Sequence, residues 1–292
     1  MEQISQEPAV SRRTGGLSLW IQMIWFAGLL CLLFAPVLKG MALEWFHDDD
    51  MGHGVFVPLV AGWMAWQKRG ELARASVKPC WWGLALLAWG FLQLIAGTLG
   101  VELFVARTAF IVSVAGLVLT VWGVEVFRIL AFPLFLLAFM IRIPAIVYGQ
   151  VTFPLQLLAS QVAETALSVI GIPVYREGNI LELPSQRLSV VEACSGIRSL
   201  LSLAFLSLVY GFFFDKRLWV RLILFASTVP IAIAANAFRV TITGILGEYK
   251  KELAEGFFHA VEGWVIFMVA LVLLVALHRC IIAAGRVVHA RG

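Results

Sequence analysis

Leu19-Trp20-Ile21-Gln22-Met23-Ile24-Trp25-Phe26-Ala27-Gly28-Leu29-Leu30-Cys31-Leu32-Leu33, running on through Phe34-Ala35-Pro36-Val37-Leu38, contains no charged side chain. At about 1.5 Å per residue, about 20 such residues cross the roughly 30 Å hydrocarbon core of a bilayer. The stretch reads as a span that stays in the mature chain rather than as a cleaved signal. Working outward, seven more apolar segments follow, at 52–67, 81–99, 102–123, 126–147, 194–214, 218–246 and 257–283. The second is short and begins polar. The third and fourth are separated only by a turn from Gly97 to Val101. The seventh holds Pro230, Asn236 and Arg239, which predicts a kink or break.

Composition agrees with an all-α polytopic membrane protein of about eight transmembrane helices. Hydrophobic residues make up 61% and charged residues 14% of the chain, and the mean hydropathy is +0.92. A soluble domain carries about a quarter charged residues, so that class is excluded. Eleven Trp and 21 Phe suit interfacial anchoring. The net charge of +4 comes from short loops and reports orientation, not nucleic-acid binding. Arg12, Arg13, Lys68, Arg69, Arg74, Lys78, Arg128, Lys216, Arg217, Arg221, Arg279, Arg286 and Arg291 fall on one side, which is expected to be cytoplasmic. An even number of spans puts both termini there. The expected organisation is an N-terminal tail (1–18), one membrane domain (19–284) and a C-terminal tail (285–292). No soluble C-terminal domain is expected.

The largest piece on the other side is the loop 148–193. Residues 150–170 mix apolar and polar residues at helical spacing and predict an interfacial or re-entrant helix. Gly171-Ile172-Pro173 should end it. Ile180-Leu181-Glu182-Leu183 and Arg187-Leu188-Ser189-Val190-Val191 flank Pro184-Ser185-Gln186 and predict a small β-hairpin leading to Cys194. Of the four cysteines, Cys31 falls within a span and Cys80 and Cys280 fall at the cytoplasmic face. Cys194 is then the lone thiol on its side.

Arg239 and His259 are expected on the same side as Cys194. An arginine within a membrane helix is costly and calls for a reason. Acyl transfer at sulfur supplies three. Positive charge favours the thiolate, an imidazole moves protons near neutral pH, and a guanidinium can hold a developing oxyanion. Arg198 shares a helix face with Cys194 at i, i+4, and fits either thiolate stabilisation or an ion pair with Glu192 or Glu262. Asn236 and Arg239 share a face at i, i+3. Glu262 stands likewise to His259 and could orient its ring. Ser195 reads as a helix cap rather than a nucleophile.

The segments Glu192-Ala193-Cys194-Ser195-Gly196-Ile197-Arg198, Ala235-Asn236-Ala237-Phe238-Arg239-Val240 and Glu255-Gly256-Phe257-Phe258-His259 resemble the three active-site motifs of the exosortases. His53-Gly54 with Val57-Pro58-Leu59 resembles their early motif, and the run Gly171 to Asn179 resembles the stretch before the cysteine. The likeness covers about 45–280 and looks closest to the exosortase A type found with exopolysaccharide loci. It implies a bacterial inner-membrane cysteine protease and transpeptidase with a periplasmic active site. Its substrates would be exported proteins with a C-terminal Pro-Glu-Pro motif, a transmembrane helix and a basic tail. Cys194 would be the nucleophile, Arg239 the stabiliser and His259 the general acid/base, with His53 in a supporting place. Arg176, Arg187 or Arg198 would pair with the glutamate of the motif. The acyl acceptor, whether water or a glycan or lipid nucleophile, stays open. No cofactor is implied.

His47, Asp48, Asp49, Asp50 and His53 cluster in the first outer loop, but their spacing fits no zinc pattern, and an acidic exposed loop is expected rather than a metal site. A competing reading is a transporter or assembly factor for an exopolysaccharide or its lipid-linked precursor. It would need polar residues at mid-membrane depth, whereas these collect towards the outer surface.

Overall fold

The computed structural model describes residues 16–190, 196–249 and 257–291. They divide into two compact units, 1–142 and 143–292. In the first, α1 (Gly16–Leu33) and α2 (Ala35–His47) are followed by a 3-10 helix (Asp49–Val55). Next come α3 (Phe56–Gln67), α4 (Arg69–Arg74), α5 (Trp82–Leu99), α6 (Leu103–Val121) and α7 (Gly123–Leu136), the last running into a 3-10 turn (Leu137–Met140). The second unit holds α8 (Ala145–Ile170), three short strands, α9 (Gly196–Phe214), α10 (Leu218–Tyr249) and α11 (Phe257–Arg291).

Among the described residues, six helices are long and apolar enough to cross a membrane, or seven if the bent pair α1–α2 is one span. Large apolar side chains such as Ile24, Leu99, Trp264 and Val272 lie exposed on these helices, which suits lipid rather than water as their neighbour. The first apolar run does not continue straight to Leu38. The chain bends by 83° around the buried Phe34, and Pro36 sits in the first turn of α2, where its missing N–H costs no bond. The segment 52–67 is also less than a full span, being a 3-10 turn and a 12-residue helix.

The core of the first unit gathers Leu72, Val118, Trp122, Val126 and Leu130. Beside it α5 and α6 approach closely, with Gly83, Gly90 and Gly97 at seven-residue intervals against Thr120, Ser113 and Ala106. Arg107 on α6 is buried and paired with Glu44 of α2 at 2.6 Å.

In the second unit, α10 runs without a break through Pro230, where the sequence predicts a kink or break. Its 32 residues extend about 48 Å at 1.5 Å each, and about 20 residues suffice for the hydrocarbon core. Counting from the basic loop that holds Lys216 and Arg217, the core ends near Ala237, so the last turns of α10 project beyond it. The three strands, β1 (Tyr175–Glu177), β2 (Ile180–Glu182) and β3 (Arg187–Ser189), form an antiparallel meander. The expected β2–β3 hairpin is present, with Leu181 opposite Leu188, and β1 extends it.

Ala145–Ile170 is one 26-residue helix, long and apolar enough to cross a membrane, where the sequence predicts an interfacial or re-entrant helix over 150–170. Its buried face is mixed, with Ala159, Ala163 and Leu167 beside Thr152, Gln156 and Ser160, and Gln156 and Ser160 are the polar groups that meet the sheet's first turn. It ends at Gly171, where Ile172 N–H bonds the Leu167 carbonyl.

Candidate active site

One buried cluster joins three elements of the second unit. It contains Ala163 and Leu167 of α8, Leu181, Leu183, Leu188 and Val190 of the sheet region, and Val240 of α10. Val190 and Val240 have no exposed surface. Val190 N–H bonds the Asn179 carbonyl at 3.0 Å, which fixes the chain where it leaves the sheet. Cys194 follows Val190 by four positions and lies outside the described residues. Arg239 directly precedes Val240. The shared core thus ties the lead-in to the cysteine segment to the helical turn that carries the arginine.

Asn236, Val240, Gly244 and Gly247 fall on one stripe of α10 at spacings of four, four and three. Asn236 is buried, and Arg239 is half-buried with its Nε enclosed. By the span arithmetic above, Arg239 stands at the edge of the hydrocarbon core, where a guanidinium reaches water and a polar substrate at modest cost.

His259 and Glu262 fall in the first two turns of α11, where side chains lie outside the described residues. The helical backbone places 259 and 262 one turn apart. Helices α10 and α11 run antiparallel through a core that includes Leu224 and Leu274, both fully buried.

The other sequence candidates are differently placed. Arg198 is exposed in the first turn of α9. Arg176 is held within the protein, its Nε 2.6 Å from Glu164 and its Nη1 donating to the Gly178 carbonyl at 3.1 Å. Arg187 faces Glu182 across the strands at 3.5 Å, with 63% of its side chain exposed. His53 belongs to the first unit, in the 3-10 turn ahead of α3 and outside the candidate spans. There its Nε2 donates to the Phe139 carbonyl at 3.1 Å, and burial pushes the imidazole below its ordinary range, against the opposing pull of backbone carbonyls. In the same loop Asp48 accepts from Asp50 N–H and pairs with Arg142.

Sequence reasoning passed over the residues that hold the sheet. Asn179 Nδ2 donates to Gln156 at 3.0 Å and Ser160 Oγ donates to the Gly178 carbonyl at 3.1 Å. At the opposite turn, Ser185 and Gln186 engage the end of α10. One local signal was available, since a glutamate, Glu248, in the last turn of a helix has the wrong sign for the dipole.

These features define a multipass helical membrane protein whose small sheet docks against the end of a long span, next in sequence to an ordered Cys, Arg and His set. The family described as Transmembrane exosortase (Exosortase_EpsH) matches residues 45–276, most of the chain, and the chain belongs to that family. In general terms it is a membrane protein-sorting transpeptidase acting on exported proteins. No curated protein and no solved structure is significantly similar to it.

Proposed function

We propose that this exosortase is a cysteine peptidase and transpeptidase of the bacterial inner membrane. It cuts a C-terminal Pro-Glu-Pro-type sorting signal from exported proteins, in connection with exopolysaccharide production. The observation that carries the reading is the common core of Val190 and Val240, which keeps the approach to Cys194 beside the turn bearing Arg239. The active face lies on the periplasmic side, opposite the loop of Lys216, Arg217 and Arg221, with both termini in the cytoplasm.

In the reaction, the Cys194 thiolate attacks the scissile carbonyl carbon. The Arg239 guanidinium attracts the thiolate and then the oxyanion of the tetrahedral intermediate. Protonated His259 gives its proton to the departing amine, the C–N bond breaks and a thioacyl-enzyme forms. The neutral imidazole next takes a proton from the acceptor, which attacks the thioester and frees Cys194. Water gives hydrolysis; an amine or hydroxyl of a glycan or lipid gives transfer. Asn236 and Glu262 act as orienting groups, Arg198 supports the thiolate, and His53 lies in the early motif as a supporting residue. Of the arginines in the sheet, Arg187 is the more available partner for an acidic substrate side chain, since Arg176 is engaged by Glu164.

The test is in-cell processing of a reporter carrying a Pro-Glu-Pro motif, a transmembrane helix and a basic tail, read by intact mass. Wild type should cleave it, and Cys194→Ala, Arg239→Ala and His259→Ala should not. An added mass on the product would identify the acceptor. Undiminished cleavage by Cys194→Ala would overturn the reading.

A further inference from the structure

Glu248 occupies the last turn of α10, where the negative end of the helix dipole disfavours a carboxylate. Its reason for being there lies off the helix. Oε1 accepts the Ser185 backbone N–H at 3.0 Å and the Ser185 hydroxyl at 2.6 Å. The same hydroxyl lies 3.3 Å from the Gly247 carbonyl. Gln186 Nε2 donates to the Gly244 carbonyl at 3.4 Å. A Cβ at position 247 would meet the Gln186 amide, the movable end of a side chain, which shows how closely the turn approaches α10 there. Four contacts therefore fasten the β2–β3 turn to α10, about two helical turns beyond Arg239.

We propose that the Ser185–Glu248 contact is a positioning clamp for the active centre. It sets where the exit of β3 at Val190 stands relative to the turn of α10 that carries Arg239. The other end of the sheet is pinned to α8 through Asn179 and Gln156. The Glu248 clamp, with the shortest of the polar contacts there, runs directly from the strand pair feeding Cys194 to the arginine-bearing helix. The proposal rests on the reading that Cys194 and Arg239 act together. Glu248 touches no reacting atom in this scheme. Its effect passes through the placement of the thiol, for which misplacement by about 1 Å can cost about 100-fold in rate.

The experiment uses the full-length protein in detergent with Glu248→Ala, Glu248→Gln and Ser185→Ala. Two quantities are read: reporter turnover, and the pH dependence of iodoacetamide alkylation at Cys194, followed by peptide mass spectrometry with Cys280 as an internal control. Glu248→Ala should lower turnover about tenfold or more through kcat rather than KM. It should also move the Cys194 alkylation profile to higher pH, as the thiol loses its guanidinium neighbour, while leaving the Cys280 profile and the melting temperature in place. Glu248→Gln keeps an acceptor oxygen for Ser185 and should restore both readouts to within about twofold. Ser185→Ala, which keeps the backbone N–H bond, should fall between them, and it serves if Glu248→Ala does not fold. An unshifted Cys194 profile in Glu248→Ala, or in Ser185→Ala if that is the variant that folds, overturns the clamp. So does a Gln variant as impaired as the Ala variant. Cleavage that survives Cys194→Ala overturns the reaction instead, and the alkylation profiles still decide the clamp because they need no turnover.

Discussion

Leu181 is the central residue of β2, has no exposed surface, and sits opposite Leu188 within the cluster that includes Val190 and Val240. Leu181→Ala removes three carbons. At about 0.8 kcal/mol each the transfer cost is about 2.4 kcal/mol, and the cavity left behind adds to it, within the about 2–5 kcal/mol span of such changes. Three strands of three residues have few other apolar contacts to draw on. A loss of about 3 kcal/mol raises the population of undocked sheet about 100-fold. The helical core around Leu203, Leu224 and Leu274 is a separate cluster and should hold. The variant is therefore expected to accumulate in the membrane near the wild-type level, to be nicked by protease within 178–186, and to process the reporter poorly. Leu181→Met, which conserves volume, should cost less than about 1.5 kcal/mol and keep most activity. Immunoblotting, limited proteolysis and reporter cleavage read all three. Wild-type processing by Leu181→Ala, or equal loss in the Met variant, would refute the view that this core sets the approach to Cys194.

Two further outcomes concern stability. Glu44→Gln should lower the melting temperature in detergent sharply, by an amount equivalent to about 3–5 kcal/mol, because it strands the buried Arg107, whereas the double variant Glu44→Leu/Arg107→Met should recover most of the loss; a double variant no better than the single would contradict this. At the basic end of α9 and α10, Arg217 donates twice from its guanidinium to Asp215, the donors lying 3.1 and 2.7 Å away, and the His278 ring lies 3.3 Å from the same carboxylate. Arg217 holds the Asp215 carboxyl well below its usual range. This contribution is complete above the unfolded carboxylate value of about 4 and is lost as pH falls below it. Thermal melts between pH 6 and pH 3, as about the accessible window, should therefore fall more steeply for wild type than for Asp215→Asn.

The spans at 81–99, 102–123, 218–246 and 257–283 could be read directly because exclusion of water acts on each run by itself. A helix in lipid satisfies its own backbone and needs no partner to be recognised. Cys194, Arg239 and His259 stand out as candidates for a related reason: ionisable groups beside apolar helices are costly and conspicuous. Other features depended on neighbours distant in sequence. Gln156 and Ser160 look like part of a water-facing surface until the turn at Gly178-Asn179 meets them. Strand β1, with Arg176 and Glu177, lacks an apolar pattern and exists because β2 pairs with it. Arg176 reads from the sequence as one of three candidate partners for a substrate glutamate, and in the fold its Nε lies 2.6 Å from Glu164. Ser185 and Glu248 are 63 positions apart, and neither residue alone announces the other. The cost of burying polar groups acts on each run of sequence locally, so the apolar segments that enter the membrane can be read from the chain, and Cys194, Arg239 and His259 stand out there as candidates. How the strand pair before the cysteine segment meets the arginine-bearing helix comes instead from packing and hydrogen bonds between segments that the chain brings together on folding.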